Sequence, residues 1–264
     1  MNLSEYEPTA NRKVLIYGAP KTGKTALAGK LAEIKKLHWC DGEDGIKTLL
    51  NPDLLAPQFR SNINYIHLPD TQTHPIMYES VLRIVKGEAT RLCYDHGVSN
   101  CAKCKAVPAA RWSEVDARKF GPDDVLVIDS VSQLAASAMH RVIAPKIQND
   151  FGDYKPDWDD YRKQGFLLDR LFTLVQAAPF SIVCISHEQL VEMEDKRMKI
   201  VPIGGTSNFS KTFAKYFDDV IYCDKVNNKH VAFSSSTYSN SIITGSRAGK
   251  LVEKDANGIK ALFQ

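Results

Sequence analysis

Between Val14 and Ala32 the chain reads VLIYGAPKTGKTALAGKLA. Four apolar or aromatic residues, Val14 to Tyr17, predict a short buried strand. Gly18-Ala19-Pro20-Lys21-Thr22-Gly23-Lys24-Thr25 then fits the spacing G-x-x-x-x-G-K-[ST], and a helix-forming run begins at Ala26. Strand, glycine loop and helix, in that order, are the context of a phosphate-binding loop. Glycines at 18 and 23 let the backbone turn its N–H groups inward around an anion. The start of the helix brings its positive dipole end to the same place. Gly18 to Ala26 are therefore the expected cradle for ATP. Lys24 is placed to reach the β- and γ-phosphates, and the Thr25 hydroxyl to ligate Mg²⁺. A chance glycine-rich turn is the alternative, and the flanking strand and helix argue against it.

The rest of the composition sets bounds. A chain of 264 residues holds one large α/β domain or two small ones. At 44% hydrophobic and 25% charged it reads as an ordinary soluble globular protein. A net charge of +3 is too small to argue by itself for a nucleic-acid partner. No apolar run approaches about 20 residues, so no membrane span is expected. The start, MNLSEYEPTANRK, has no signal-peptide core, which predicts a cytoplasmic location. Six cysteines without a secretion signal suggest reduced thiols or a metal site, not a disulfide framework.

Further along, Leu37 to Cys40 predicts a second strand, ending at Asp41-Gly42-Glu43-Asp44-Gly45. Carboxylates just past a strand end lie where α/β sheets build active sites. Glu43 is the candidate to polarise an attacking water; a solvated acidic turn is the alternative. Ile63 to Leu68 predicts a third strand, and Pro75 to Lys86 an amphipathic helix. Cys93-x-x-His96-x4-Cys101-x-x-Cys104 then places four soft ligands within twelve residues. Such a set closes a tetrahedron around a structural Zn²⁺ and can hold a small insertion, here at about 90–112, that lacks its own core. Incidental cysteines, or a redox pair at Cys101 and Cys104, are the alternatives. Cys40, Cys184 and Cys223 sit in apolar runs and read as core residues.

Asp124 to Ser130 (DVLVIDS) predicts a central buried parallel strand. Asp129 at its end is placed to hold the Mg²⁺ water shell, or else merely caps the helix expected over Val131 to Ile143. A polar linker follows over Asn149 to Trp158, then a helix over Asp159 to Ala178 and a strand over Ser181 to Ser186. His187 comes next, as a γ-phosphate sensor or as a strand-end residue bonded to backbone. Glu192 to Lys199 is charged and predicts a solvated hairpin or loop. Gly204-Gly205-Thr206-Ser207-Asn208 leads into a basic-aromatic helix over Phe209 to Phe217, carrying Lys211 and Lys215. Asp219 to Cys223, His230 to Ser234 and Ser241 to Thr244 predict late strands without helices between them, hence an antiparallel edge. Arg247 sits in a turn after the last of them.

Taken in order, GAPKTGKT, CDGEDG, VLVIDSVSQL, IVCISHEQL and PIGGTSNFSKTFAKYFDDVIY resemble the RecA-like ATPases over roughly residues 12 to 250. PDWDDYRKQGFLLDRLFTLVQAAPFSIVCISH is further similar to the small phage-encoded RecA-like proteins of recombination and single-strand annealing. The resemblance implies an α/β fold, a RecA-like P-loop NTPase core in one domain over 1–264. A mostly parallel central sheet would be flanked by helices, with antiparallel late strands at one edge. It also implies a DNA-stimulated ATP hydrolase with Lys24, Glu43, Asp129, His187 and Arg247 in the catalytic machinery. Glu43 matches the family's catalytic glutamate, and Arg247 the finger offered to a neighbour's nucleotide; for Arg247 a surface turn residue is the alternative. The family's first lysine in that finger segment is replaced here by Thr244 or Gly245. Ser207 to Phe213 matches the DNA-facing second loop, so Lys211, Lys215 and Phe209 or Phe213 become candidate contacts to single-stranded DNA; for at least one of the aromatics, packing of the helix onto the sheet is the alternative. A homo-oligomeric ring or filament is implied, and a single-strand DNA-binding protein as a further partner. The zinc insertion departs from the family pattern. Competing readings are a helicase- or loader-type motor, a nucleotide or small-molecule kinase, and an ATP-binding switch.

Overall fold

A computed structural model describes residues 11–93, 101–110, 112–234, 241–247 and 258–264 of the protein. Its central feature is a sheet whose main path runs β10 (Lys229–Phe233), β9 (Asp219–Val226), β1 (Lys13–Gly18), β7 (Ser181–Glu192), β6 (Asp124–Asp129), β2 (Lys36–Asp41), β3 (Ile63–His67). The strands from β9 to β3 are mutually parallel, and β10 runs antiparallel to β9. The sheet is thus mostly parallel, with an antiparallel strand at one edge, as the sequence predicts.

The apolar runs at β1, β6 and β7 follow from burial on both faces. Alternation along each strand divides the core in two. Leu15, Tyr17, Leu126, Ile128, Ile182 and Cys184 face one layer, formed by α2 (Ile76–Val85), α4 (Val131–Ile143) and α5 (Trp158–Ala177). Val14, Ile16, Val125, Val127, Val183 and Ile185 face the other, where α1 (Lys24–Gly29) packs beside Leu31, Leu49, Ile259 and Leu262. The long helices begin at the side chains that their sequences supply. Ser130 caps α4 by accepting from the Gln133 N–H. Asp157 and Asp160 form a reciprocal box at the start of α5, each accepting the other's backbone N–H. Cys40, Cys184 and Cys223 are buried core residues, as their surroundings predict.

Several elements differ from the sequence expectation. The strand expected to stop at Ser186 continues to Glu192 and pairs with β8 (Met198–Pro202), so of the two readings of the charged segment the hairpin is the one that holds. The linker over 149–158 contains a turn that buries Phe151 on the His140 ring, 4.2 Å centroid to centroid. The helix expected over Phe209 to Phe217 divides into α6 (Ser207–Thr212) and a tighter turn over Phe213–Tyr216. The strand expected over Ser241 to Thr244 reduces to one bridge at Ile242, with β11 (Gly245–Ser246) pairing onto β9 just beyond it. The insertion is framed by a separate pair, β4 (Thr90–Cys93) with β5 (Trp112–Val115), around a short α3 (Ala102–Lys105). No helix among the described residues is long and apolar enough to cross a membrane.

Candidate nucleotide site

The phosphate loop leaves β1 at Gly18, whose φ of +153° is one that side-chain-bearing residues rarely adopt. A Cβ there would stand 2.1 Å from the Cys223 carbonyl oxygen, so the neighbouring strand also demands glycine. Thr22 Oγ1 donates to the Ala19 carbonyl at 2.8 Å and ties the loop across Pro20 and Lys21. Gly23, at φ +92°, starts α1. Lys24 is buried and donates from Nζ to the carbonyls of Gly18 and Ala19, at 2.9 and 2.7 Å. Burial lowers its pKa, while Cys223 and the carboxylates of Asp129, Glu188 and Glu43 act in the opposite sense.

A cavity of about 410 Å³ lies over this loop. Lys21, Thr22, Gly23, Lys24, Thr25 and Ala26 line it, and so do Glu43, Asp129 and His187. Residues distant in sequence thus meet because β2 and β6 end, and β7 passes His187, at the edge where β1 ends. Gly18, Ala19 and Pro20 form the β1 end of the loop beside it.

Two polar groupings occupy the cavity wall. In the first, Thr25 Oγ1 donates to Asp129 Oδ2 at 3.2 Å. A Cβ on Gly45 would lie 3.3 Å from that oxygen and 3.7 Å from Thr25 Oγ1, so the glycine leaves the space in front of both atoms open. Burial, followed by the nearby carboxylates of Asp41 and Glu43, pushes Asp129 up to about 7. A hydroxyl and a carboxylate oxygen sharing a small open space, with surplus negative charge behind them, fit a hard divalent cation such as Mg²⁺.

In the second grouping, Glu43 accepts a hydrogen bond from the Ser130 hydroxyl, and its Oε2 lies 3.2 Å from His187 Nε2. The His187 contact is the main cause of a lowered Glu43 pKa, with Ser130 and Lys24 contributing. The His187 backbone N–H donates to Ser132 Oγ at 3.1 Å, which fixes the strand at this point. Glu43 therefore sits ionised, braced from two sides, on the rim facing Lys24.

Some participants have no signal in the sequence reading. Ser130 directly follows Asp129, and its hydroxyl both caps α4 and reaches Glu43. His230, Val231 and Ala232 from β10 line the cavity, and the His230 ring packs on Gly23. Only the strand order, which places β10 two strands from β1, brings them there.

Other candidates lie elsewhere. Arg247 is exposed, reaching Asp218 at 3.5 Å and donating to the Lys215 carbonyl at 3.2 Å, away from the cavity of its own chain. Lys215 is exposed, 3.7 Å from Asp169 and over the Tyr216 ring; Lys211 is half-buried on α6. Phe209 is half-buried in an aromatic cluster with Phe172, Phe213 and Tyr216. Phe213 is fully buried there, which removes it as a surface for stacking bases. In the insertion, the sulfurs of Cys93, Cys101 and Cys104 lie within 4.8 Å of one another, and all three residues are buried. His96 falls outside the described residues.

The sequence matches the AAA domain family over residues 10–248. The chain belongs to that family. No curated protein matches it. Among solved structures, the RadB recombinase shares 14% identity, covering 84% of this chain and 79% of its own, with a TM-score of 0.40. An ATPase from the type III secretion system of pathogenic bacteria shares 15% identity over 81% of this chain, with a TM-score of 0.42. This chain spans about half of that ATPase, 52%. A KaiC-like protein from the hyperthermophilic archaeon Pyrococcus horikoshii OT3 shares 15% identity, covering 86% of this chain and 77% of its own, with a TM-score of 0.40. The AAA domain match and the phosphate-loop site make the chain a P-loop ATPase.

Proposed function

We propose that this AAA-domain chain hydrolyses ATP in response to single-stranded DNA, in recombination or strand annealing of the phage-encoded kind. The observation that carries the hydrolytic part is the position of Glu43. It is braced by Ser130 and His187 on the rim of the cavity that holds Lys24, Thr25 and Asp129. Phosphoryl transfer is mostly positioning and charge stabilisation, and the site supplies both. Lys24 releases the Gly18 and Ala19 carbonyls to pair with the β- and γ-phosphates. Thr25 and Asp129 would hold Mg²⁺, which when bound offsets charge on the phosphate oxygens. Glu43 orients a water and takes its proton as the water oxygen attacks the γ-phosphorus and the bond to the β-phosphate oxygen breaks. His187 keeps Glu43 ionised and stands where a γ-phosphate is felt.

Arg247, exposed and outside its own cavity, acts on the nucleotide of an adjoining subunit in a ring or filament. The DNA assignment rests on the resemblance of Ser207 to Phe213 to a DNA-facing loop, with Lys211 and Lys215 contacting phosphates. Phe209 adds a ring edge at that surface. A single-strand DNA-binding protein is the proposed partner, and the cytoplasm, the host's if the chain is phage-encoded, the proposed location. The 264 residues form one ATPase domain, with 90–112 as its insertion. Zn²⁺ on Cys93, Cys101 and Cys104, with His96 as the fourth ligand, holds that insertion together; a closed set of four protein ligands of this kind is structural.

The deciding experiment is ATP turnover with and without single-stranded DNA. Stimulation supports the reading. A flat response removes DNA as the effector and leaves the ATPase.

A further inference from the structure

Asp41 is the last residue of β2, and its side chain is fully buried. Oδ1 accepts the Glu43 N–H at 2.9 Å, and Oδ2 accepts the Ile46 N–H at 3.0 Å. Both oxygens are thus directed at the backbone of the turn that carries Glu43. The main chain is pinned from outside as well. The Gly42 N–H donates to the Asp129 carbonyl, and the Leu68 N–H to the Asp41 carbonyl, each at 2.8 Å.

A carboxylate is an expensive way to hold a turn in a dry place. It is more so here, because Asp41 lies opposite Asp129 in the register of β2 and β6. A neutral asparagine would accept the Glu43 N–H without placing a second buried charge there. Charge-assisted bonds to backbone N–H groups are roughly twice as strong as neutral ones, so the arrangement exchanges stability for a stiffer turn. The stiffness falls on Glu43, whose own N–H is one of the two groups held.

We infer that Asp41 is the positioning residue for Glu43, clamping the turn over residues 42–46 so that the Glu43 carboxylate stays between Ser130 and His187. Asp41 does not touch the nucleotide; it is not among the residues lining the cavity. The inference rests on Glu43 being the residue that activates water. A displacement of about 1 Å in such a group lowers the rate roughly 100-fold without weakening substrate binding.

A double-mutant cycle on the full chain tests it. Asp41→Asn is expected to lower kcat roughly tenfold to 100-fold while KM for ATP stays within about threefold. In a Glu43→Gln chain, the further change Asp41→Asn is expected to lose nothing more, because the group being positioned is already disabled. A parallel fall in kcat and ATP affinity overturns the inference, as does the same loss of kcat in the Glu43→Gln background. Glu43→Gln turning over at the normal rate is a different failure: it removes the water-activating role itself, and the positioning role with it. If Asp41→Asn does not fold, Asp41→Ser, which keeps one acceptor without the charge, carries the same cycle.

Discussion

His187 Nε2 lies 3.2 Å from Glu43 Oε2, although their strands, β7 and β2, are separated in the sheet by β6. Ser130, the first residue after β6, supplies the remaining contact to the same carboxylate. The ends of β2 and β6 and the middle of β7 therefore converge on one acidic side chain above the phosphate loop. A carboxylate held this way stays ionised, which is the state that can accept a proton from water.

Removing the imidazole should move the pH profile. His187 is the largest contributor to the lowered Glu43 pKa, so His187→Ala lets that pKa rise. Glu43 then becomes protonated at a higher pH and stops accepting protons there. The acid limb of kcat/KM is expected to shift to higher pH, with a larger rate loss at pH 5 than at pH 8. Steady-state rates across that range check it; an unmoved limb shows that Glu43 does not control the acid side.

Mixing two dead variants should restore activity if the site is completed between subunits. Lys24→Ala disables its own phosphate loop but carries a good Arg247. Arg247→Ala has a sound loop and lacks the finger. Each alone is expected to be slow, by roughly 10³-fold or more for the arginine. A mixture should recover turnover at loops whose neighbour supplies Arg247. A mixture no faster than its parts shows that Arg247 is a surface residue tied to Asp218.

His230→Ala should act on nucleotide binding more than on chemistry. The ring packs on Gly23 at the cavity wall and, among the described residues, has no hydrogen bond to Glu43 or Asp129. Loss of one good contact is worth about 1.4 kcal/mol, so KM for ATP is expected to rise on the order of tenfold with kcat little changed. Initial rates over a range of ATP concentrations check it, and an unchanged KM places the nucleotide elsewhere in the cavity.

Metal analysis by mass spectrometry should find about one zinc per chain. Cys101→Ser should lose that metal and lower the melting temperature, because the β4–β5 arm depends on it for a core. Folded protein free of metal would sink the zinc assignment.

What could be read from the sequence was whatever is local in the chain. GAPKTGKT fixes its own loop by glycine conformation, and Asp129 ends a run apolar enough to be a central strand. Glu43 and His187 each follow a strand, which places them at the right edge without saying that they touch. Asp41 and Ser130 were in view beside them, yet their roles depend on strand register and on a cap. His230 enters only through an antiparallel strand added beyond β9. Phe209 and Phe213 could each have stacked on a base or packed the helix down, and only the contact with Phe172 on α5 shows that Phe213 packs inward. The continuation of β7 past His187 was hidden by charge, since a solvated hairpin arm and a loop share the same composition.

That continuation joins the nucleotide to the outside of the molecule. From His187 to Glu192 the strand advances about 17 Å, bonded to β8 along this stretch, and the arm carries the exposed Leu190 and, at its outer end, Met198. Anything that binds along the arm therefore sits on the same strand as the imidazole that braces Glu43.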